Sequence, residues 1–338
     1  MKLIKIFLAF TILISLTATA SESSTAYNFL NISSSARVYG LGGVNISNID
    51  DDINSIDQNP ALLGPEYNMQ LGVNYMHYIG GSNFAGVKFG NKASSHSAWA
   101  IGIQYFGYGK ITGTDEFGNV TDHFSPKDVN FSGTYSHDIS DRLRGGITLK
   151  MLYSSYGEYS AFAIGTDLGI NYYDPEHDLS LSAVVANLGG QVKRFDQAYN
   201  RLPIDVRLGW SQSFGSLPIR FSVTAWNLTQ WSLPYYDPGD GTSSDGLEIK
   251  ESFVSNLFRH LVFAADFIPS DKFHIGIGYN YKTRTDMSTY SRNLLSGFSI
   301  GAGMNVKAFK FGVALSQPHS GATTFMLNIS TDLSTLIQ

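Results

Sequence analysis

The chain has 338 residues, no cysteine and a formal net charge of -5. Without cysteine there is no disulfide framework and no thiolate metal site, and the acidic balance offers no basic face for nucleic acid. Charged residues are 15%, aromatics 13%, and there are 34 glycines. An average soluble domain carries about 25% charged residues, so this composition suits an all-β protein with much of its surface out of water.

The N-terminus reads as a leader. Lys2 and Lys5 start it, Ile6 to Leu16 is apolar, and Ala18-Thr19-Ala20 is a small-x-small cleavage site. The run is too short to span a bilayer comfortably. Residues 1–20 are therefore expected to be removed, and the mature chain to leave the cytoplasm. Residues 21–68 follow, with Gly40, Gly42 and Gly43, then Asp50, Asp51 and Asp52, then Asn59-Pro60-Ala61.

From residue 69 onward the sequence alternates with period two, the signature of strands. Phe273, Ile275, Ile277, Tyr279 and Tyr281 face one way, and His274, Gly276, Gly278, Asn280, Lys282 and Arg284 the other. Leu143 to Tyr153 and Phe298 to Val306 do the same. Fourteen strands are expected, beginning near Met69, Phe84, Ala98, Asp128, Leu143, Phe162, Leu179, Asp205, Ile219, His260, Phe273, Gly297, Lys310 and Thr323. The even-numbered connections are short, whereas the odd-numbered ones include long pieces. Tyrosines crowd the strand ends, as in the girdles of a membrane barrel. The expected fold is an all-β transmembrane antiparallel barrel over 69–338, closed so that no strand edge meets hydrocarbon. Residues 21–68 then fold most naturally into the lumen as a hatch. One feature departs from the pattern: the chain ends Leu336-Ile337-Gln338, where such barrels often end on an aromatic residue.

A barrel whose leader exports it runs its first strand outward. That places the protein in a bacterial outer membrane, with the long loops extracellular and both termini periplasmic. Within the hatch, the aspartates are expected to pair with lumenal Arg and Lys, or to cap a short helix through "INSID". Pro60 is expected to end that helix, and Ala61, Leu62 and Leu63 to wedge near the periplasmic mouth.

Catalytic patterns are missing from the sequence. The eight histidines are scattered, with no i, i+4 pair, and there is neither a G-x-S-x-G elbow nor a phosphate loop. "DPGDGTSSDG" (237–246) reads as a polar loop tip. Asp167, Lys150, Arg144 and Arg207 read as cross-strand ion pairs. "WNLTQWSLPYYDP" holds Trp226, Trp231, Tyr235 and Tyr236. It reads either as girdle or, at Trp231, Tyr235 and Tyr236, as a loop that anchors a protein partner. "SFVSNLFRHLVF" reads as a short amphipathic segment on the rim.

Fatty-acid-channel-type barrels carry a hatch with a Gly-rich stretch, an acidic residue and an Asn-Pro-Ala, and "ARVYGLGGVNIS", Asp50 to Asp52 and Asn59-Pro60-Ala61 resemble it. Further stretches, including "LGVNYMHYIGG", "WAIGIQYFGYGKITGTDEFGN", "GTDLGINYYDPEHDLSLSAVVANLGGQVKRFD" and "IGIGYNYKTR", resemble one branch of that superfamily. This is the PorV/PorQ family of the type IX secretion system, with most likeness to its PorQ members. The resemblance implies a non-enzymatic barrel without a cofactor. It would anchor a cell-surface attachment complex of PorZ-, PorU- and PorV-like proteins that joins cargo to lipopolysaccharide. The competing expectation is a fatty-acid-channel-like transporter of hydrophobic small molecules, which needs an apolar path and a lateral gap. Lumenal Gly, Ser, Asn and charge disfavour such a path, while Gly165 and Gly169 leave a strand kink open.

Overall fold

The structure, a computed structural model, describes residues 27–115, 117, 119–196, 199–214, 217–233, 235–237, 248–250, 252–286, 295–319 and 322–336. The expected leader, the first residues of the hatch and the loop tip after Asp237 lie outside the described residues.

Fourteen antiparallel strands close into a barrel. In chain order they are β1 (Gln70–His77), β2 (Asn83–Ser94), β3 (Ser97–Gly107), β4 (Lys127–Ser140), β5 (Leu143–Tyr156), β6 (Tyr159–Asp174) and β7 (Leu179–Lys193). Then come β8 (Asp205–Ser213), β9 (Ile219–Ala225), β10 (Leu261–Ser270), β11 (Phe273–Asn280), β12 (Phe298–Val306), β13 (Phe309–His319) and β14 (Ala322–Asp332). Closure is made by β1 against β14, in register from Gln70↔Asp332 to His77↔Phe325. Each strand begins close to the residue where its alternation begins.

Side chains sort by face. Ile101, Leu149, Met151 and Ile300 point outward and are half exposed. Asn74, Lys88, Gln104, Asn130, Asp167, Arg207 and Asn328 point inward and are buried. A barrel in lipid requires this inversion, because its outer surface meets hydrocarbon and its lumen does not. Turns such as 95–96, 141–142, 271–272 and 307–308 join strands at one rim, and the longer connections leave β3, β7, β9 and β11 at the other. Two small hairpins stand on the long-loop rim, Ile111–Thr114 with Val120–Phe124 and Tyr235–Asp237 with Glu248–Lys250.

Two expectations need correction. The alternation read through to Arg284 is strand only as far as Asn280, and Tyr281–Asp286 is helical. The Oδ1 of Asn280 accepts the Thr283 N–H at 3.2 Å and so turns the chain out of the wall. Pro60 does not end the helix through "INSID". That 3-10 helix, Ile53–Asp57, stops at Gln58, and Pro60 opens a second turn, Pro60–Leu62, with Asn59 capping the Ala61 N–H. A missing N–H is harmless at that first position. β6 and β7 slip in register between Phe162 and Ala163 and again between Thr166 and Leu168, the second shift lying between Gly165 and Gly169.

Candidate functional site: a filled lumen with a side cavity

Residues 27–68 thread the lumen. A 3-10 turn, Asn28–Asn31, leads into α1 (Ala36–Gly40). The Oγ of Ser35 accepts the Val38 N–H, and the first N–H of α1, on Ala36, is taken at 2.8 Å by Asn328 of β14. Ser299 of β12 accepts from Gly42 and donates to the Gly40 carbonyl, both at 2.9 Å. The hatch backbone lies directly on the wall at several positions where the wall lacks a side chain. A Cβ on Gly278 would overlap Leu41 and Gly42, and one on Gly146 would overlap Pro60 and Ala61. These inward glycines are the seat of the hatch.

The three aspartates do three different things. Asp50 pairs with Arg37 at 2.8 Å, and Arg37 also grips Asp266 of β10 at 2.6 Å. Burial pushes the Asp50 carboxyl up, but the Arg37 guanidinium and His274 more than reverse this and hold it at about 2. The same two carboxylates raise Arg37 against the opposing effect of its burial. Asp51 pairs with Lys310 of β13 at 2.9 Å near the mouth, where it is half exposed. Asp52 caps the 3-10 helix at Asn54 and accepts from Asn328 at 2.9 Å; burial and the Asp50 charge push its carboxyl up. Asn59 donates to the Ile46 carbonyl at 3.0 Å, and Pro60 and Ala61 are buried. Asp57 meets Lys88 and, at 2.6 Å, Gln104.

Of the wall charges, Lys150 pairs across strands with Asp167 at 2.7 Å, and Arg144 with Asp138 at 2.6 Å. Arg207 pairs with Asp205 on its own strand at 2.6 Å. Trp231 stands at the long-loop rim, stacked on His260 at 4.9 Å. The backbone of Tyr235 and Tyr236 lies in the small rim hairpin, and their side chains fall outside the described residues. Asp174, Glu176 and His177 gather at the short-turn rim, where Arg142 already neutralises Asp174 and Glu176.

Toward the long-loop rim the lumen, polar elsewhere as expected, encloses an apolar chamber beside the buried Asp205 and Arg207. Phe29, 4% exposed, sits among the inward side chains of Met76, Phe84, Phe106 and Met326, with its ring 6.4 Å from that of Phe106. Beside this packed chamber lies a cavity of ≈ 190 Å³ between residues 28–44 of the hatch and the ends of β1, β9 and β11–β13. Tyr39, Tyr78 and Trp226 give it aromatic walls, and Asn31, Asn280 and Ser299 give it polar ones.

The fold is that of the Pseudomonas putida toluene transporter TodX. The two superpose with a TM-score of 0.52 over 91% of this chain and 98% of that one, at 11% identity. A TodX deletion mutant described as a monoaromatic hydrocarbon channel gives 0.52 at 12% identity, over 87% and 96%. A Pseudomonas aeruginosa FadL homologue gives 0.49 at 12%, over 88% and 98%. At these identities the TodX likeness is one of fold. No family model matches the chain, and no curated protein matches it by sequence.

Sequence reasoning missed Arg37, Asp266 and Phe29. Arg37 was visible as the lone cation of a long uncharged stretch. Phe29 carried no signal, because its neighbours in the chamber come from strands scattered along the whole chain.

Proposed function

We propose that the protein is an outer-membrane channel for small, mainly apolar molecules, with its N-terminal segment as an internal plug and its long loops outside the cell. The apolar chamber and adjoining cavity, set inside an otherwise polar lumen, carry this reading. A space of ≈ 190 Å³ exceeds the roughly 150 Å³ that accommodates a benzene in an engineered protein cavity. Its aromatic walls with a few polar groups suit a compact apolar guest. The TodX-like fold supports the same reading, since the solved barrels that share it are described as hydrocarbon channels.

This reverses the order of the two readings drawn from the sequence. The type IX anchor, with its PorZ-, PorU- and PorV-like partners and lipopolysaccharide, has only sequence resemblance behind it. The channel has the fold, the chamber and the cavity. The test is uptake of labelled toluene by cells that carry the chain in their outer membrane. Uptake faster than in cells without it is expected. Equal rates, together with recovery of a surface propeller and a sortase-like protease on purification from the native envelope, would return the anchor to first place.

A further inference from the structure

The helix α2 (Phe253–Arg259) is built inside out. A helix lying on a water-exposed rim turns its polar side chains outward. Here Asn256 and Arg259 are the buried residues, while Phe253 is 67%, Val254 61% and Phe258 43% exposed.

Every long polar group of α2 is engaged on the protein side. Asn256 donates to the Trp231 carbonyl and accepts the Leu233 N–H at 2.9 Å. Arg259 reaches Asp286 at 2.5 Å and Thr285. The ring nitrogens of His260, the residue that ends the helix, lie 2.9 and 3.0 Å from the Trp226 and Trp231 carbonyl oxygens. The irregular backbone at 226–233 is thus supplied with hydrogen-bond partners by side chains of the α2 segment. Satisfying such backbone internally is a condition for existing at membrane depth.

The outward side is continuous with the lipid-facing wall. Phe258 lies 6.2 Å from Phe263, an outward residue of β10, and 6.3 Å from Tyr281, just past the end of β11. Trp231 lies 6.0 Å from Phe253 at the opposite end of the patch. The aromatic surface therefore runs without a break from the barrel belt onto the helix. Trp and Tyr at its edges are the residues that favour the headgroup level.

We propose that α2 is a membrane-docking helix, with Phe253, Val254 and Phe258 inserted among the acyl chains of the leaflet at the long-loop rim. Trp231 then marks the lipid interface, not a protein-binding loop. The helix holds the barrel at a fixed depth and sets lipid beside the Trp226 wall of the cavity.

The absence of native cysteine makes the test direct. Val254→Cys is labelled with an environment-sensitive fluorophore, and the whole protein is reconstituted into phosphatidylcholine vesicles brominated high on the acyl chain. Leu149→Cys on the outer wall and Thr121→Cys on the rim hairpin serve as lipid and water references. All three sites are exposed surface, and heat-modified gel mobility checks that each variant is folded. The label at 254 is expected to be quenched by bromine at least half as strongly as that at 149, and by aqueous iodide several-fold less than that at 121. Iodide quenching equal to that at 121 would put the helix in water and overturn the proposal. Protection from both quenchers would overturn it as well, by showing that a protein surface, such as a second copy, covers the helix.

Discussion

The two halves of the lumen are filled by different means. Toward the short-turn rim the hatch is fastened by charge. Arg37, Asp50 and Asp266 share a buried network, Asp52 accepts from Asn328, and Asp57 meets Lys88. Toward the long-loop rim apolar contact predominates, with Phe29 among methionines and aromatics beside a cavity, and Arg207 adds a hydrogen bond to Asn31. The contrast separates two tasks. A buried ion pair is costly to break and has one good geometry, which suits a permanent seal. Apolar packing is non-directional, so one greasy group is exchangeable for another, which suits a place where a guest is held.

The comparison breaks most sharply at Arg37. Arg37→Ala leaves Asp50 and Asp266 buried without their cation, and loss of a partner from such a network costs about 3–5 kcal/mol. The expected result is a loosened hatch, measured as ion conductance in planar bilayers and as protease cleavage between residues 27 and 68. An unchanged conductance would show that the charged network does not fasten the hatch.

Phe29→Ala tests the other half. A core Phe→Ala change costs about 3–5 kcal/mol where the site cannot collapse, and a cost in that range is expected here because Phe29 is buried. The seal should remain while the chamber gains a site for toluene, measured by calorimetry in detergent. Conductance rising as in Arg37→Ala would erase the distinction between the halves.

Acid is a gentler probe of the charged half. Asp50 is held at about 2 in the docked hatch, below its ordinary value near 4, so the free hatch binds more protons between those values. The Asp50 contribution is therefore complete above about pH 4 and lost as pH falls toward 2. Asp52, pushed up by burial and by the Asp50 charge, works in the opposite direction. Conductance is expected to stay low from neutral pH down to about 4 and to rise only below it. A rise near pH 6 would assign the fastening to other groups. The smallest effect is expected from Lys310→Ala, whose partner Asp51 is half exposed. Such pairs contribute about 0–1 kcal/mol, and conductance should match the unmodified chain.

How much the sequence revealed follows from the range of the interactions. The wall was legible because each strand carries its own alternation, set by lipid on one side and lumen on the other. Its ends were less so: the letters alternate through Tyr281 and Lys282, but Asn280 caps the following turn and ends β11. The aspartates could be expected to pair or cap, and they do both. Their partners could not be read, because Arg37 and Asp266 are separated by 229 positions. The apolar chamber was hidden for the same reason. Its lining is one or two inward residues from each of several strands, too few in any one strand to alter its pattern.

The docking of α1 carries a consequence for assembly. Its contacts fall on β10, β12, β13 and β14, through Asp266, Gly301, Gly312 and Asn328. These strands are synthesised last, whereas the hatch emerges first. The α1 end of the plug therefore has no seat until the final hairpins are in place, whereas its Pro60 end rests on Gly146 of β5 and Gly169 of β6. The two ends of the plug thus depend on different parts of the wall, and a barrel lacking β14 would lose the Asn328 that receives the first N–H of α1.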